Sequence, residues 1–140
     1  MTLNKTIKTI NENWTDIYHL LHYVHQENIS HQAIRLLQHI EKKKEITIGD
    51  LATYLGVTHN TASEHIKRLI KKGFVSKERS VEDERKVFVI LTKDGREVLY
   101  RNTRLDNEKL KNVLENLDPS DIVMIEKAFV LLSQEAKKCF

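Results

Sequence analysis

The fold class this sequence predicts is mainly α-helical, with a small β-hairpin wing behind a helix-turn-helix. Three observations predict it. From Gly56 to Gly95 a polar-headed helix stops at a glycine and is followed by a short strand. An acidic–basic tip, a strand of alternating apolar residues and Thr92-Lys-Asp-Gly95 come next. Outside that stretch apolar residues recur at helical spacing. Pro119 is the single proline and glycine occurs four times, so flexible linkers are absent.

Six helices are expected in order. The first carries Leu3, Ile7, Ile10, Trp14, Ile17, Leu21 and Val24 in alternating steps of four and three, a narrow stripe of the kind that seeks a partner helix. Ser30 caps the second, to about Lys43, with Ala33, Leu37 and Ile40 inward. Thr47 caps the third, with Leu51, Ala52 and Leu55 inward and Gly56 as its stop. The fourth runs from about Thr58 to Lys72. Wing strands are expected at about 74–80 and 86–91, with Val87, Val89 and Leu91 on one face. One long fifth helix is expected from near Thr92 to about Asn116, with Val98, Leu110, Val113, Leu114 and Leu117 apolar. Asp118-Pro119 opens the last, a cap followed by a first-turn proline, with Ile122, Ile125, Phe129, Leu132, Ala136 and Phe140 in a stripe.

A length of 140 residues suits a single domain, 1–140. Within it, 1–29 and 104–140 are expected to be dimerisation helices and 30–103 the DNA-binding lobe. No apolar run approaches the ~20 residues that span a bilayer, and MTLNKTIKTINENW lacks the apolar core of a signal peptide. With one cysteine, Cys139, no intramolecular disulfide forms, and a cytoplasmic location is expected.

The net charge is only +3, but between Gly56 and Arg104 there are 12 Lys/Arg against 7 Asp/Glu. Basic charge concentrates on the reading module, as a phosphate-binding surface requires. In the fourth helix, Ala62, Ile66 and Leu69 cluster on a core side, and Asn60, Glu64, Lys67, Arg68 and Lys71 lie opposite, flanked by His59, Thr61 and Ser63. The first residues of a recognition helix reach base edges. Asn60 suits adenine, Glu64 a cytosine amino group, and Thr61 several edges. Lys67, Arg68 and Lys71 suit phosphates. The plainer reading makes Thr61 and Glu64 a capping box and His65 a packing residue.

The wing, Arg79-Ser-Val-Glu-Asp83-Glu-Arg85-Lys86, then Val87-Phe-Val-Ile-Leu91-Thr92-Lys-Asp-Gly95, resembles the signature of the MarR family of bacterial regulators. That signature is Asp-x-Arg at the wing tip, an alternating strand, then Leu-Thr-x-x-Gly. The resemblance covers essentially the whole chain. It implies a winged-helix homodimer on a palindromic operator, usually repressing and often released by a small aromatic ligand. It implies that Arg85, beside Lys86, enters the minor groove, and that Asp83 orients the wing by pairing with an arginine such as Arg79. Glu64 departs from the basic residue that members often carry, which leaves the operator sequence open.

His19, His22, His25 and His31 lie close in sequence, and two i,i+3 pairs among them could share a metal. No matching ligand set is recognisable on the long helix, so neither a metal nor a cofactor is expected. Trp14, Tyr18 and Tyr23 could line a cleft for an organic ligand or simply pack. No Gly-rich phosphate loop, nucleophile elbow or triad is present, so catalysis is not expected. The expected partners are double-stranded DNA, a second copy of the chain and a small aromatic ligand, without a membrane. The alternatives are a winged-helix module that binds protein, or a metal-sensing regulator built on the histidine group.

Overall fold

The computed structural model describes residues 2–24 and 28–140. It divides into two compact units, Met1–Leu21 with Leu105–Phe140, and His22–Arg104.

The second unit holds every buried apolar side chain among the described residues. It contains α2 (His31–Lys42), α3 (Ile48–Leu55), α4 (His59–Lys71), β1 (Val75–Arg79), β2 (Val87–Leu91) and α5 (Lys93–Thr103). Local signals set most of its boundaries. Ser30 Oγ accepts from Ala33 N at the head of α2. At α3 the capping is reciprocal: Thr47 Oγ1 accepts from Asp50 N and Asp50 Oδ2 accepts from Thr47 N. The threonine was legible in the sequence, its acidic partner was not. Gly56, at φ 68°, ends that helix.

The core joins Leu36, Leu37 and Ile40 of α2, Leu51 of α3, Ile66 and Leu69 of α4, Val75, Val89 and Leu91 of the wing, and Val98 and Leu99 of α5. Strands β1 and β2 pair antiparallel with Val75 opposite Leu91 and Arg79 opposite Val87. A third contributor, Ile46, bridges Val89, whose N–H donates to Ile46 O at 2.8 Å. One buried residue before a helix carries no strand periodicity, so sequence reading missed it.

The first unit contains α1 (Leu3–Leu21), α6 (Asn107–Glu115) and α7 (Pro119–Cys139), and none of the three has a buried residue. Two boundaries differ from expectation. The first helix stops at Leu21, so Val24 lies beyond it, 73% exposed. The single long helix after the wing is two helices, giving seven rather than six among the described residues. Arg104 is extended (φ −104°, ψ 159°) and Asp106 caps a fresh helix, accepting from Glu108 N and Lys109 N. Apolar periodicity runs across that break without marking it. The sign was Asp106 ahead of Asn107-Glu108, a cap inside a helical run.

Candidate nucleic-acid interface

Helix α4 is started by Thr58, whose hydroxyl accepts from Thr61 N at 3.2 Å and donates to Thr61 Oγ1 at 3.0 Å. Thr61 and Glu64 therefore do not form the capping box that their spacing allowed, because the cap lies one turn earlier. Glu64 instead meets Lys67 at 3.3 Å. This exposed i,i+3 pair contributes only a few tenths of a kcal/mol, but it sets a cation beside the carboxylate.

Ala62, Ile66 and Leu69 are buried, which holds the opposite face outward. His59, Asn60, Thr61, Glu64, Lys67, Arg68 and Lys71 are exposed and Ser63 is half-buried. His65, also half-buried, places Nδ1 3.4 Å from Arg68 Nη1. It adjoins the basic row as well as the core side.

The wing tip braces itself. Ser80 N donates to Lys86 O, Lys86 N to Asp83 O, and Asp83 N to Ser80 Oγ. Asp83 pairs with Arg85 and not with Arg79. Asp83 Oδ1 accepts from Arg85 N at 3.0 Å and from Arg85 Nε at 3.3 Å. Arg79 donates to the carbonyl of Glu84. The reason is reach: two residues apart on a tight tip, the carboxylate meets the Arg85 backbone and guanidinium together, while Arg79 sits back on β1. The Arg85 side chain remains 92% exposed, with Lys86 exposed beside it.

A ring stack unforeseen in the sequence joins α2 to α3. His39 lies 3.6 Å from Tyr54 at 10° between planes, with the Arg35 guanidinium 6.0 Å from the Tyr54 ring. Burial, then the charge of Lys43, lowers the His39 pKa against an opposing pull from Asp50. The Asp50 carboxyl is itself held below the usual range, chiefly by the Thr47 backbone N–H.

The described members of the histidine group do not share one helix. His19 lies on α1, His22 beyond its end and His31 at the start of α2, while His25 lies outside the described residues. The i,i+3 argument for His19 and His22 fails because the helix has ended. Among the described residues no three His, Cys, Asp or Glu side chains gather as a metal set. Cys139 is exposed, and among the described residues no helix is long and apolar enough to cross a membrane.

Residues 16–101, which contain the helix-turn-helix and the wing, match the family model for the transcriptional regulator SarA/Rot. The chain belongs to the SarA/Rot family. This SarA/Rot-family chain is 27% identical over 114 residues to the uncharacterised HTH-type transcriptional regulator YfiV of Bacillus subtilis, covering 79% of this chain and 71% of that one. It is 30% identical over 93 residues to YdgJ of the same organism, another uncharacterised HTH-type regulator, covering 66% of this chain but 57% of YdgJ.

Among solved structures, a MarR-like transcriptional regulator of Thermotoga maritima superposes with a TM-score of 0.62 at 20% identity over 98% of each chain. FabT of Streptococcus pneumoniae, solved in complex with DNA, superposes with a TM-score of 0.56 at 22% identity over 99% of this chain and 97% of FabT. The fold is that of the MarR-type winged-helix regulators, and the chain is a DNA-binding transcriptional regulator of the SarA/Rot family. Its relatives are HTH-type transcriptional regulators.

Proposed function

We propose that this regulator works as a homodimer on an inverted-repeat operator, that it represses, and that a small aromatic ligand releases it. The observation that carries the DNA-reading part is the exposed face of α4 together with the outstretched Arg85. Asn60, with Thr61 and His59 beside it, reads base edges in the major groove. Ser63 and Glu64 lie next along, and Lys67 and Arg68 hold phosphates. Arg85 reads the minor groove with Lys86 behind it, and Asp83 and Arg79 keep the tip in shape.

Dimerisation rests on α1, α6 and α7. Helices without a single fully buried residue have little tertiary packing within one copy to sustain them, and most helical stability in proteins comes from such packing. Their apolar rows lie open: Leu3 is 73% exposed, Leu132 58% and Phe129 47%. Ile10, Trp14, Ile17, Phe129 and Leu132 line a groove of about 640 Å³ between α1 and α7. The same helices of a second copy are its occupant, which makes 1–29 and 104–140 the dimerisation segments and 30–103 the reading lobe of a single domain. A two-fold dimer matches a palindrome with half-sites one turn, ~34 Å, apart. Release by ligand rests on the family likeness and on the Trp14–Tyr18 ring pair of α1, 6.4 Å between centroids.

The test is binding to duplexes selected from a random inverted-repeat library, read as a function of salt. With six to ten phosphate contacts, affinity falls roughly 10³–10⁵-fold between 50 and 200 mM salt. A flat salt response, or no duplex selected, defeats the reading.

A further inference from the structure

We propose that Thr92 is the positioning residue that sets the wing against the recognition helix. This rests on the reading of Arg85 as a minor-groove contact.

The covalent link between α4 and β1 is weak by construction. After Lys72 the chain turns through Gly73 at φ 83°, closed by Gly73 N donating to Ile70 O and Phe74 N to Leu69 O. Those bonds finish the helix but do not aim the strand beyond it. A glycine is the residue least able to fix a direction by itself.

The direction comes from Thr92, 19 residues further on. Its hydroxyl donates to Gly73 O at 2.6 Å, and its backbone N–H donates to Phe74 O at 3.0 Å. Two successive carbonyls at the wing's root are thus held by one residue. The same hydroxyl accepts from Gly95 N at 3.0 Å, capping α5. A hydroxyl carries one proton and two lone pairs, so it performs both tasks at once. Gly95 completes the joint, because a Cβ there would stand 1.9 Å from Phe74 O.

The end of α4, the root of β1, the end of β2 and the start of α5 therefore meet at one oxygen. Ile46 steadies the middle of β2, but among the described hydrogen bonds it is the Thr92 hydroxyl that reaches back to the turn leaving α4. Thr92 consequently governs how Arg85 on the tip stands relative to Asn60 on the helix.

Capping and aiming are separable by substitution. Serine keeps both. Aspartate caps as well as threonine, but an ionised carboxylate has no proton for Gly73 O and repels it. Spin labels at Ile70→Cys and Val81→Cys, in a Cys139→Ser background diluted with unlabelled chain, report the separation of α4 from the wing tip. The distribution should broaden in Thr92→Asp and keep its width in Thr92→Ser. Unlabelled Thr92→Asp should bind selected duplex roughly two- to tenfold more weakly, the range that loss of one net hydrogen bond implies. It should bind no more weakly still when combined with Arg85→Ala. Thr92→Val serves if Thr92→Asp does not fold by circular dichroism.

An unchanged distribution in the variants lacking the donor, or equal broadening in Thr92→Ser, overturns the assignment. So do DNA losses that multiply with Arg85→Ala. If the distribution broadens as expected while Arg85→Ala leaves affinity intact, the joint stands and the minor-groove reading falls.

Discussion

Replacing Gly95 by alanine should damage this protein, although in most helices glycine-to-alanine stabilises by up to about 1 kcal/mol. Gly95 is buried in the first turn of α5. An added Cβ would lie 1.9 Å from the carbonyl oxygen of Phe74 and 2.8 Å from its carbon, whereas real Cβ contacts are not found under 3.0 Å. Backbone must therefore move by more than an ångström, and the obstacle is main chain rather than a side chain that can swing away. That movement stretches three hydrogen bonds together: Thr92 N to Phe74 O, Thr92 Oγ1 to Gly73 O, and Gly95 N to Thr92 Oγ1. At a net ~1 kcal/mol each, the expected loss is about 3 kcal/mol. Urea unfolding followed by circular dichroism, at one fixed protein concentration because a dimer's stability depends on it, measures the change. Gly49→Ala is the internal control. It also lies in a helix, but the nearest atom to its added Cβ is Thr47 Oγ1 at 3.7 Å, so it should be neutral or mildly stabilising. A Gly95→Ala protein as stable as the Gly49→Ala protein would refute the reasoning.

Four further outcomes are expected. Asn60→Ala should cost ~1–3 kcal/mol and relax preference at one symmetric pair of operator positions, whereas Arg85→Ala should lower affinity across sequences together with the salt slope; equal, sequence-independent losses would misplace the recognition helix. Phe129→Glu, which sets a charge in the groove between α1 and α7, should shift the light-scattering mass from dimer toward monomer at micromolar concentration, and an unchanged mass counts against the interface. Because burial and Lys43 lower the His39 pKa in the fold, the unfolded chain takes up that proton first. The His39 contribution is thus present above the ordinary value of about 6.5 and fades as pH falls through the lowered one. His39→Phe, which keeps a ring against Tyr54, should flatten the pH dependence of urea midpoints in that window, and an identical slope would argue against it. Chelator and micromolar zinc should leave operator binding unchanged, and a zinc response abolished by His22→Ala would favour the metal-sensing alternative.

What the sequence by itself determined is what short stretches of chain decide. Ser30 and Thr47 start helices because a side-chain oxygen meets an amide three residues away, and Gly56 and Gly73 end them because they tolerate positive φ. The buried face of α4 came from a 100° turn per residue, and the inward face of β2 from a period of two. The family likeness, with Asp83, Arg85 and Leu91-Thr92-x-x-Gly95 in place, was legible for the same reason. Tertiary structure alone decided the rest, because those contacts join residues whose separation along the chain carries no periodic trace. Ile46 bridges a strand more than forty positions away. Thr92 reaches back to Gly73, and Gly95 gives up a side chain to the carbonyl of Phe74. Even at short range geometry chose among equals: Asp83 had two arginines within reach in sequence, and the tightness of the tip gave it Arg85. The break at Arg104–Asp106 escaped because a capping aspartate can interrupt a helix while its apolar rhythm continues on both sides.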